Sequence, residues 1–333
     1  MNAAVTPLLN VEGLGMQYLL GGGWIAPRQV VHALDAANLE LHAGETLAVV
    51  GESGCGKSTL GKCILRLVEP TSGRVYLEGE LFSAPGMQAP QHLRQKMQVI
   101  FQDPYASLNP RRTIFQTVAD PLRQSGLSDR TALRERVGET LAQVGLSADF
   151  LDRHPHELSG GQRQRGAIAR AIVLRPQLIV CDEPISSLDI SIQAQVINLL
   201  RRLQRELGIA YLFITHDLRL VSRIADRVIV MYLGQIVEEG PAHVIDRQRL
   251  HPYSQALFAA APHADPEAAR APCVVLEGEV PSPLNPPQGC RFHTRCPVRQ
   301  ARCSQVAPEL RQVGEQWVRC HFAQMPLTPQ PPP

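Results

Sequence analysis

The chain has 333 residues, 44% of them hydrophobic, which predicts about two globular domains with buried cores. Its 33 basic and 31 acidic residues are interspersed and give a formal net charge of +2, which argues against a nucleic-acid-binding surface. The start, MNAAVTPLLNVEG, lacks the pattern of a signal peptide, and no stretch reaches the ~18 apolar residues of a membrane span. We therefore expect a soluble, cytoplasmic protein.

The first 80 residues predict a β-rich segment. The strand-forming runs are LLNVEGLGMQY, ALDAANLELHAG and ETLAVVG, and a helix from Lys57 separates them from the further strand GRVYLEGE. Residues from about 113 to 171 predict a helical insert, because apolar side chains recur there at intervals of four, four and three residues. These apolar residues are Leu133, Val137, Leu141 and Val144.

An α/β pattern resumes after the insert. The strand QLIVCDE, the helix SIQAQVINLLRRLQREL and the strand AYLFITHD predict a parallel sheet flanked by helices. The segment RVIVMYLGQIVEEG predicts a hairpin that turns at Leu233 and Gly234. Beyond about residue 250 the periodicity is lost and proline becomes frequent, so we expect a separate C-terminal region there.

A phosphate-binding loop is predicted at GESGCGKS, which fits G-x-x-x-x-G-K-[ST] and lies between the strand TLAVV and a helix. In such a loop, backbone N–H groups contact phosphates, Lys57 contacts phosphate oxygens and Ser58 ligates Mg²⁺. A chance match is expected in about one chain in a hundred of this length. The predicted nucleotide contacts are Gly51, Glu52, Ser53, Gly54, Cys55, Gly56, Lys57, Ser58 and Thr59.

Three side chains are predicted at the carboxyl ends of the two later strands. Asp182 in LIVCDEP can hold Mg²⁺, and Glu183 can act as a general base on the attacking water. His216 follows the next strand, and ligands of open α/β sheets bind at this edge. Taken singly, each of these residues is more often structural, and only the phosphate loop makes them candidates for one catalytic site.

LSGGQ predicts a second phosphate cradle, with Ser159, Gly160 and Gly161 at the start of a helix. The helical insert separates these residues from the chain's own phosphate loop. We therefore expect the cradle to contact a phosphate bound by a second chain.

Together these motifs resemble the ATP-binding subunits of ABC transporters. GESGCGKST corresponds to the Walker A motif, VIFQDP to the Q-loop, LSGGQ to the signature, LIVCDEP to Walker B, SSLD to the D-loop and THD to the switch histidine. The resemblance implies an α/β fold of the P-loop NTPase class, with an antiparallel β subdomain, a helical subdomain and a small C-terminal region rich in Cys and Pro. The expected boundaries are 8–250 for the ATP-binding domain, about 104–171 for its helical subdomain and 251–333 for the C-terminal region.

The resemblance is closer to the ATPases of dipeptide and oligopeptide importers, and within them to the dipeptide-importer subunit. It includes FQDPYASLNPR, HPYSQAL, LEGEVPSPLNPPQGC and HTRCP, of which the last three are absent from generic ABC ATPases. It implies an ATPase at the cytoplasmic face of the membrane, attached through two permease subunits, served by an extracytoplasmic peptide-binding protein and paired with a second, related ATPase. A homodimer, and nickel or sugar as cargo, remain alternatives.

Two other functional classes fit less well. Soluble ABC ATPases that act on DNA or ribosomes usually carry a long coiled coil or two ATPase domains. A small-molecule phosphotransferase would use the phosphate loop but would not need LSGGQ.

The resemblance also implies roles for residues outside the main motifs. Tyr18 would stack on adenine, with Trp24 as the alternative, and Gln102 would complete the Mg²⁺ shell and sense the membrane subunits. Gln162 of the signature would contact nucleotide, and Asp189 would lie at the dimer interface. RHPHE, residues 153–157, resembles the loop that contacts the transporter's cytoplasmic helices.

Four cysteines cluster near the end of the chain: Cys290, Cys296, Cys303 and Cys320. In a reducing compartment such a set predicts a metal site rather than disulfides, although scattered buried cysteines are the simple alternative. The spacing lacks the C-x-x-C pairs usual in zinc sites, which favours an iron–sulfur cluster over Zn²⁺. The resemblance also implies a [4Fe-4S] cluster, which would be structural because the segment lies beyond the ATPase core. His293 and His321 lie close enough in the sequence to replace a cysteine as ligand, although surface positions are the simpler expectation.

Overall fold

The computed structural model describes residues 6–21, 29–103, 107–186, 188–260 and 278–323. The chain divides into two compact units. The phosphate-loop unit consists of residues 9–40, 47–87 and 215–333. The signature unit consists of residues 1–8, 41–46 and 88–214. Each unit combines helices with strands, in agreement with the predicted α/β class.

The first part of the phosphate-loop unit is mostly β-structure, as the sequence predicts. Its elements are β1 (Leu9–Leu20), β2 (Gln29–Leu41), β3 (Thr46–Val50), α1 (Lys57–Ile64), β4 (Ser72–Leu77) and β5 (Glu80–Ser83). β4 pairs antiparallel with both β1 and β5, in a four-stranded sheet of order β2-β1-β4-β5. All five residues of β3 are buried, as expected for a strand covered on both faces.

The signature unit contains the predicted helical insert and a parallel sheet. Its elements are α2 (Gln91–Lys96), β6 (Met97–Ile100), α3 (Ile114–Gln124), α4 (Arg130–Gln143), α5 (Gly160–Ile172), β7 (Leu178–Asp182), α6 (Ile190–Leu207) and β8 (Ala210–Ile214). Two short 3₁₀ turns, Ala148–Phe150 and Pro155–Glu157, precede α5. β7 pairs in parallel with β6 and with β8.

The insert helices form a small core of their own. α3, α4 and α5 pack on one another. The predicted apolar stripe is buried, since Leu133, Val137, Leu141 and Val144 are each at most 2% exposed. Thr113 begins α3 with a reciprocal cap, in which its hydroxyl accepts from the N–H of Gln116 and the Gln116 side chain accepts from the N–H of Thr113.

The second part of the phosphate-loop unit adds strand β9 (Arg227–Tyr232), which pairs in parallel with β3, and further antiparallel strands beyond it. The elements are α7 (Leu218–Ile224), β9 (Arg227–Tyr232), β10 (Gln235–Pro241), α8 (Ala242–Arg247), α9 (Pro252–Ala259), α10 (Ala301–Gln305), β11 (Arg311–Val313) and β12 (Gln316–Val318). Within this unit the strand order is β3-β9-β10-β12-β11, with only β3 and β9 parallel. The predicted hairpin is confirmed, because Leu233 and Gly234 both have positive φ, 43° and 78°, at the two-residue turn.

The C-terminal region shares its core with β9 and α9. Phe292 is 1% exposed, and its ring centroid lies 5.2 Å from that of Tyr232 and 5.4 Å from that of Tyr253. β12 pairs with β10 through Glu238 and Glu239. The region therefore buries its apolar side chains against preceding elements of the same unit. The boundaries 8–250 and 251–333 remain a prediction.

Among the described residues, no helix combines the length and the apolar composition needed to cross a membrane.

Candidate functional site

The phosphate loop follows the buried strand β3 and leads directly into α1, as the sequence predicts. Gly51 and Gly56 have φ of 152° and 108°, in the region that favours glycine. A Cβ atom on Gly51 would lie 2.3 Å from the carbonyl oxygen of Met231, and one on Gly56 would lie 2.5 Å from that of Ala33. The loop conformation therefore requires glycine at both positions for lack of space as well as for φ.

The Lys57 side chain folds back over the phosphate loop. It is 5% exposed, and its ammonium group donates to the carbonyl oxygens of Gly51, at 2.8 Å, and Glu52, at 2.9 Å. Cys55 lies beside it, with Sγ 3.7 Å from Nζ, and burial raises the pKa of this thiol, which stays neutral. Lys57 thus places a positive charge inside a loop of backbone N–H groups, which is suited to a phosphate group.

Two residues of the C-terminal region contact the same loop. Arg295 donates to both carboxylate oxygens of Glu52, at 2.8 and 3.1 Å, and Tyr253 Oη accepts from the Glu52 N–H at 2.8 Å. Both residues belong to stretches that resemble peptide-importer ATPases, HTRCP and HPYSQAL, but the sequence alone indicates no role for either side chain. Nothing in the sequence indicated that these distant stretches contact residue 52.

Asp182 and Glu183 lie together with Gln102 in the signature unit. Asp182 is the last residue of β7, and Glu183 follows with a φ of 48°. The Glu183 N–H donates to the carbonyl oxygen of Ile214 at 2.9 Å, which fixes its backbone against the end of β8. Gln102 Nε2 donates to Glu183 Oε2 at 2.9 Å. Two residues predicted from separate motifs are therefore in direct contact.

His216 lies just after Thr215, which the phosphate-loop unit holds through a hydrogen bond from its N–H to the carbonyl oxygen of Val49, at 3.1 Å. The imidazole is exposed. The next residue, Asp217, begins α7 by accepting from the N–H of Arg219, and hydrogen bonds from Arg219 hold the pKa of this carboxyl below its usual range. This backbone anchoring fixes the position of the histidine.

The signature forms the start of α5. Ser159 Oγ accepts from the N–H of Gln162 at 3.3 Å, and the Gln162 side chain accepts from the N–H of Ser159 at 2.9 Å. Ser159 is exposed. A Cβ atom on Gly161 would lie 3.0 Å from Ile192 Cγ2 in α6, so any larger residue would require the Ile192 side chain to shift. The arrangement places a helix N-terminus, which favours anions, behind the exposed Ser159.

The other predicted contacts have different surroundings. Asp189 is exposed and begins α6, where its carbonyl oxygen accepts from the N–H groups of Ile192 and Gln193. Tyr18 is half-buried on β1, and Trp24 lies outside the described residues, so the adenine-stacking residue stays a prediction. In the 153–157 loop, Arg153, His156 and Glu157 are exposed around a buried Pro155.

The seven described cysteines are free of disulfides. The four cysteines of the C-terminal cluster all line one cavity, together with Phe292, His293 and His321. Burial raises the pKa of Cys290 to about 11, and burial also raises the pKa of Cys296 and of Cys320. In the part of the chain that the structure describes, no group of three or more His, Cys, Asp or Glu is arranged to hold a single metal ion.

The two histidines of this cavity bond to the backbone. His293 Nδ1 lies 2.8 Å from the carbonyl oxygen of Cys290, and His321 Nε2 lies 2.8 Å from that of Val306. Each of these bonds uses one ring nitrogen of the histidine, so the cavity is lined by four thiols and two imidazoles.

Two family models match the chain. The model described as ABC transporter matches residues 34–186, and the model described as oligopeptide/dipeptide transporter, C-terminal region, matches residues 237–303.

Curated relatives match almost end to end. The chain is 46% identical over 324 residues to the dipeptide transport ATP-binding protein DppF of Escherichia coli, with 97% of each chain covered. It is 48% identical over 321 residues to the oligopeptide transport ATP-binding protein OppF of Salmonella typhimurium, with 93% of this chain and 95% of the relative covered.

Among solved structures, the chain is similar to the ATP-binding cassette MJ0796, a dimer in a post-hydrolysis state bound to ADP and Pi. That match has a TM-score of 0.61 at 29% identity, over 70% of this chain and 98% of that one.

Proposed function

The chain belongs to the family of ABC-transporter ATP-binding subunits for dipeptides and oligopeptides, and we propose that it hydrolyses ATP to drive import of such peptides across the cytoplasmic membrane. The main support for peptides as the cargo is the match of residues 237–303 to the C-terminal region of oligopeptide and dipeptide transporters. This match lies beyond the cassette, which is matched at 34–186. Similarity to peptide-transport subunits over 97% of the chain supports it.

The phosphate loop is proposed to bind the β- and γ-phosphates of ATP. Lys57 Nζ now donates to two loop carbonyls, and phosphate oxygens would replace them as stronger, charged acceptors. The glycines at 51 and 56 keep the backbone N–H groups accessible. Ser58, Asp182 and Gln102 are proposed as Mg²⁺ ligands, since their hydroxyl, carboxylate and amide oxygens are the hard donors that this ion prefers. When bound, Mg²⁺ neutralises phosphate charge.

Glu183 is proposed as the general base. Water attacks the γ-phosphorus, its proton passes to the Glu183 carboxylate, and the bond to the β,γ-bridging oxygen breaks to release ADP and phosphate. The hydrogen bond from Gln102 at 2.9 Å holds the orientation of this carboxylate. His216, the switch histidine, is proposed to contact the γ-phosphate.

The signature is proposed to act in a dimer. Ser159, Gly160, Gly161 and Gln162 would contact ATP bound to the phosphate loop of a second ATPase, with Asp189 at the interface. The exposed Ser159 at the N-terminus of α5 supports this role. We favour a heterodimer with a related ATPase over a homodimer, because the family resemblance points to paired, different subunits.

The proposed complex adds two permease subunits and an extracytoplasmic peptide-binding protein. The chain would lie peripherally at the cytoplasmic face of the membrane, held by the permeases through the 153–157 loop. The selectivity of such importers lies in the other subunits, so the cargo is tested on the assembled complex.

The four C-terminal cysteines are proposed to hold a structural [4Fe-4S] cluster, with Zn²⁺ as the alternative. Their convergence on one cavity supports a four-thiolate site. The preference for iron over zinc rests on the sequence, whose cysteine spacing lacks the C-x-x-C pairs usual in zinc sites.

The proposed function is tested with Glu183→Gln in the complex assembled with its permease subunits. Glutamine keeps the shape of the side chain and an oxygen that accepts from Gln102, but it cannot take a proton. We expect ATP turnover to fall by about 10²–10⁴-fold while MgATP affinity stays within threefold of wild type. Exposed Glu135 on α4 provides the matched control, Glu135→Gln.

Two further measurements separate binding from chemistry and identify the cargo. Lys57→Ala should instead weaken MgATP binding itself. ATP-driven uptake into proteoliposomes should occur with dipeptides and not with nickel or a sugar. Near-wild-type turnover of Glu183→Gln would exclude Glu183 as the base, and uptake of only nickel or sugar would overturn the peptide assignment.

A further inference from the structure

Glu52 occupies the second position of the phosphate loop, and its carboxylate is paired within the phosphate-loop unit. Arg295 grips both oxygens in a two-bond geometry, at 2.8 and 3.1 Å. The Arg295 side chain is only 6% exposed and the Glu52 side chain 26%. A two-bond pair shielded from solvent in this way is stronger and more oriented than a surface ion pair.

Arg295 is itself held by the core of the C-terminal region. Phe292, three residues before it, is buried among Tyr232 and Tyr253. The Arg295 guanidinium lies 6.0 Å from the centroid of the Tyr232 ring, and Arg295 N–H donates to the carbonyl oxygen of Phe292 at 3.0 Å. The guanidinium is thus presented to the loop from a packed support.

The backbone of the loop is held from the same side. The Glu52 N–H donates to Tyr253 Oη at 2.8 Å, and Tyr253 is fully buried at the start of α9. Residue 52 therefore has its backbone and its side chain fixed by residues 201 and 243 positions later in the chain.

The charge of Glu52 gives these contacts a consequence for nucleotide binding. A carboxylate in a loop that receives a polyphosphate would repel it, because like charges raise the free energy of binding. Arg295 neutralises that carboxylate.

We propose that Arg295 is a positioning residue for nucleotide binding, which neutralises and orients Glu52 so that the phosphate loop accepts ATP. The C-terminal region then forms part of the nucleotide site rather than a separate attachment. The inference rests on the proposed binding of ATP by this loop.

The test compares MgATP affinity in the purified full-length chain for wild type, Arg295→Met, Glu52→Gln and the double variant. Arg302→Met, at an exposed arginine of the same region, is the matched control. We expect Arg295→Met to weaken binding about tenfold and Arg302→Met to change it less than threefold, while Glu52→Gln provides the reference affinity of a loop without the carboxylate. The double variant should recover to within threefold of Glu52→Gln, because without the carboxylate there is no charge to neutralise.

The rescue separates this role from a purely structural one. If Arg295 only supported the fold, the double variant would bind as weakly as Arg295→Met or more weakly, and the proposal would be wrong. The proposal would also be wrong if the wild-type chain binds MgATP and Arg295→Met binds it with the same affinity. Absence of MgATP binding by the wild-type chain would instead overturn the proposed function.

Discussion

Acidification from pH 7.5 to 5.0 is expected to lower the free energy of unfolding through one histidine in the C-terminal part of the phosphate-loop unit. His251 is 1% exposed, and its Nδ1 accepts a hydrogen bond from the N–H of Tyr253 at 3.0 Å, which caps α9. Burial lowers the pKa of His251 to about 3. Protonation would place a charge in an apolar core and remove the acceptor that caps the helix.

The direction follows from the two pKa values. In the unfolded chain the imidazole titrates near its ordinary pKa of about 6.5. Below that pH the unfolded state binds a proton that the folded state does not. The contribution of the neutral His251 side chain to the free energy of unfolding is therefore full above pH 6.5 and is lost as the pH falls towards 3. At about 1.36 kcal/mol per pKa unit, the loss between pH 7.5 and 5.0 is about 2 kcal/mol.

Urea unfolding followed by circular dichroism at both pH values measures this loss. His251→Asn keeps an acceptor near the position of Nδ1 but does not titrate, and His243→Asn changes an exposed histidine as the control. Burial raises the pKa of the nearby Glu238 carboxyl, so protonation of Glu238 favours the folded state as the pH falls. This opposite effect is expected in all three proteins and cancels when their losses of stability are compared. His251→Asn should lose about 2 kcal/mol less than wild type and the control on acidification. An equal loss in all three would refute the assignment of the effect to His251.

Two further predictions concern the signature and the cysteine cluster. Ser159→Arg should abolish ATP hydrolysis at the partner ATPase's phosphate loop, while the isolated variant still binds MgATP; equal loss of binding by the isolated chain would show that the signature serves its own nucleotide. Anaerobically purified protein should be brown, with about four iron and four sulfide per chain, and Cys296→Ser should remove the colour. Colourless protein with one zinc per chain would show that the four cysteines bind Zn²⁺ instead of a cluster. Four titratable thiols in protein without metal would exclude both kinds of site.

The sequence by itself determined most of the fold and the identity of the nucleotide motifs, because these depend on local rules. The spacing of Leu133, Val137 and Leu141 predicts a helix with one buried face, which the structure contains, since side chains three or four residues apart share a helix face. Gly51 and Gly56 bracket the phosphate loop because the backbone there needs positive φ. The turn at Leu233 and Gly234 follows from the same kind of local geometry.

Only the tertiary structure decided which distant residues meet. Gln102 contacts Glu183 across 81 positions, and Arg295 contacts Glu52 across 243. No periodicity or spacing encodes such pairs, because they depend on how strands and loops are brought together by packing. In the sequence, Arg295 is one charged residue in a proline-rich segment, with no sign of the residue that it contacts. Burial of Phe292 in the core beside Tyr232 and Tyr253 places that charge against the phosphate loop, and burial excludes the solvent that would otherwise weaken the pair.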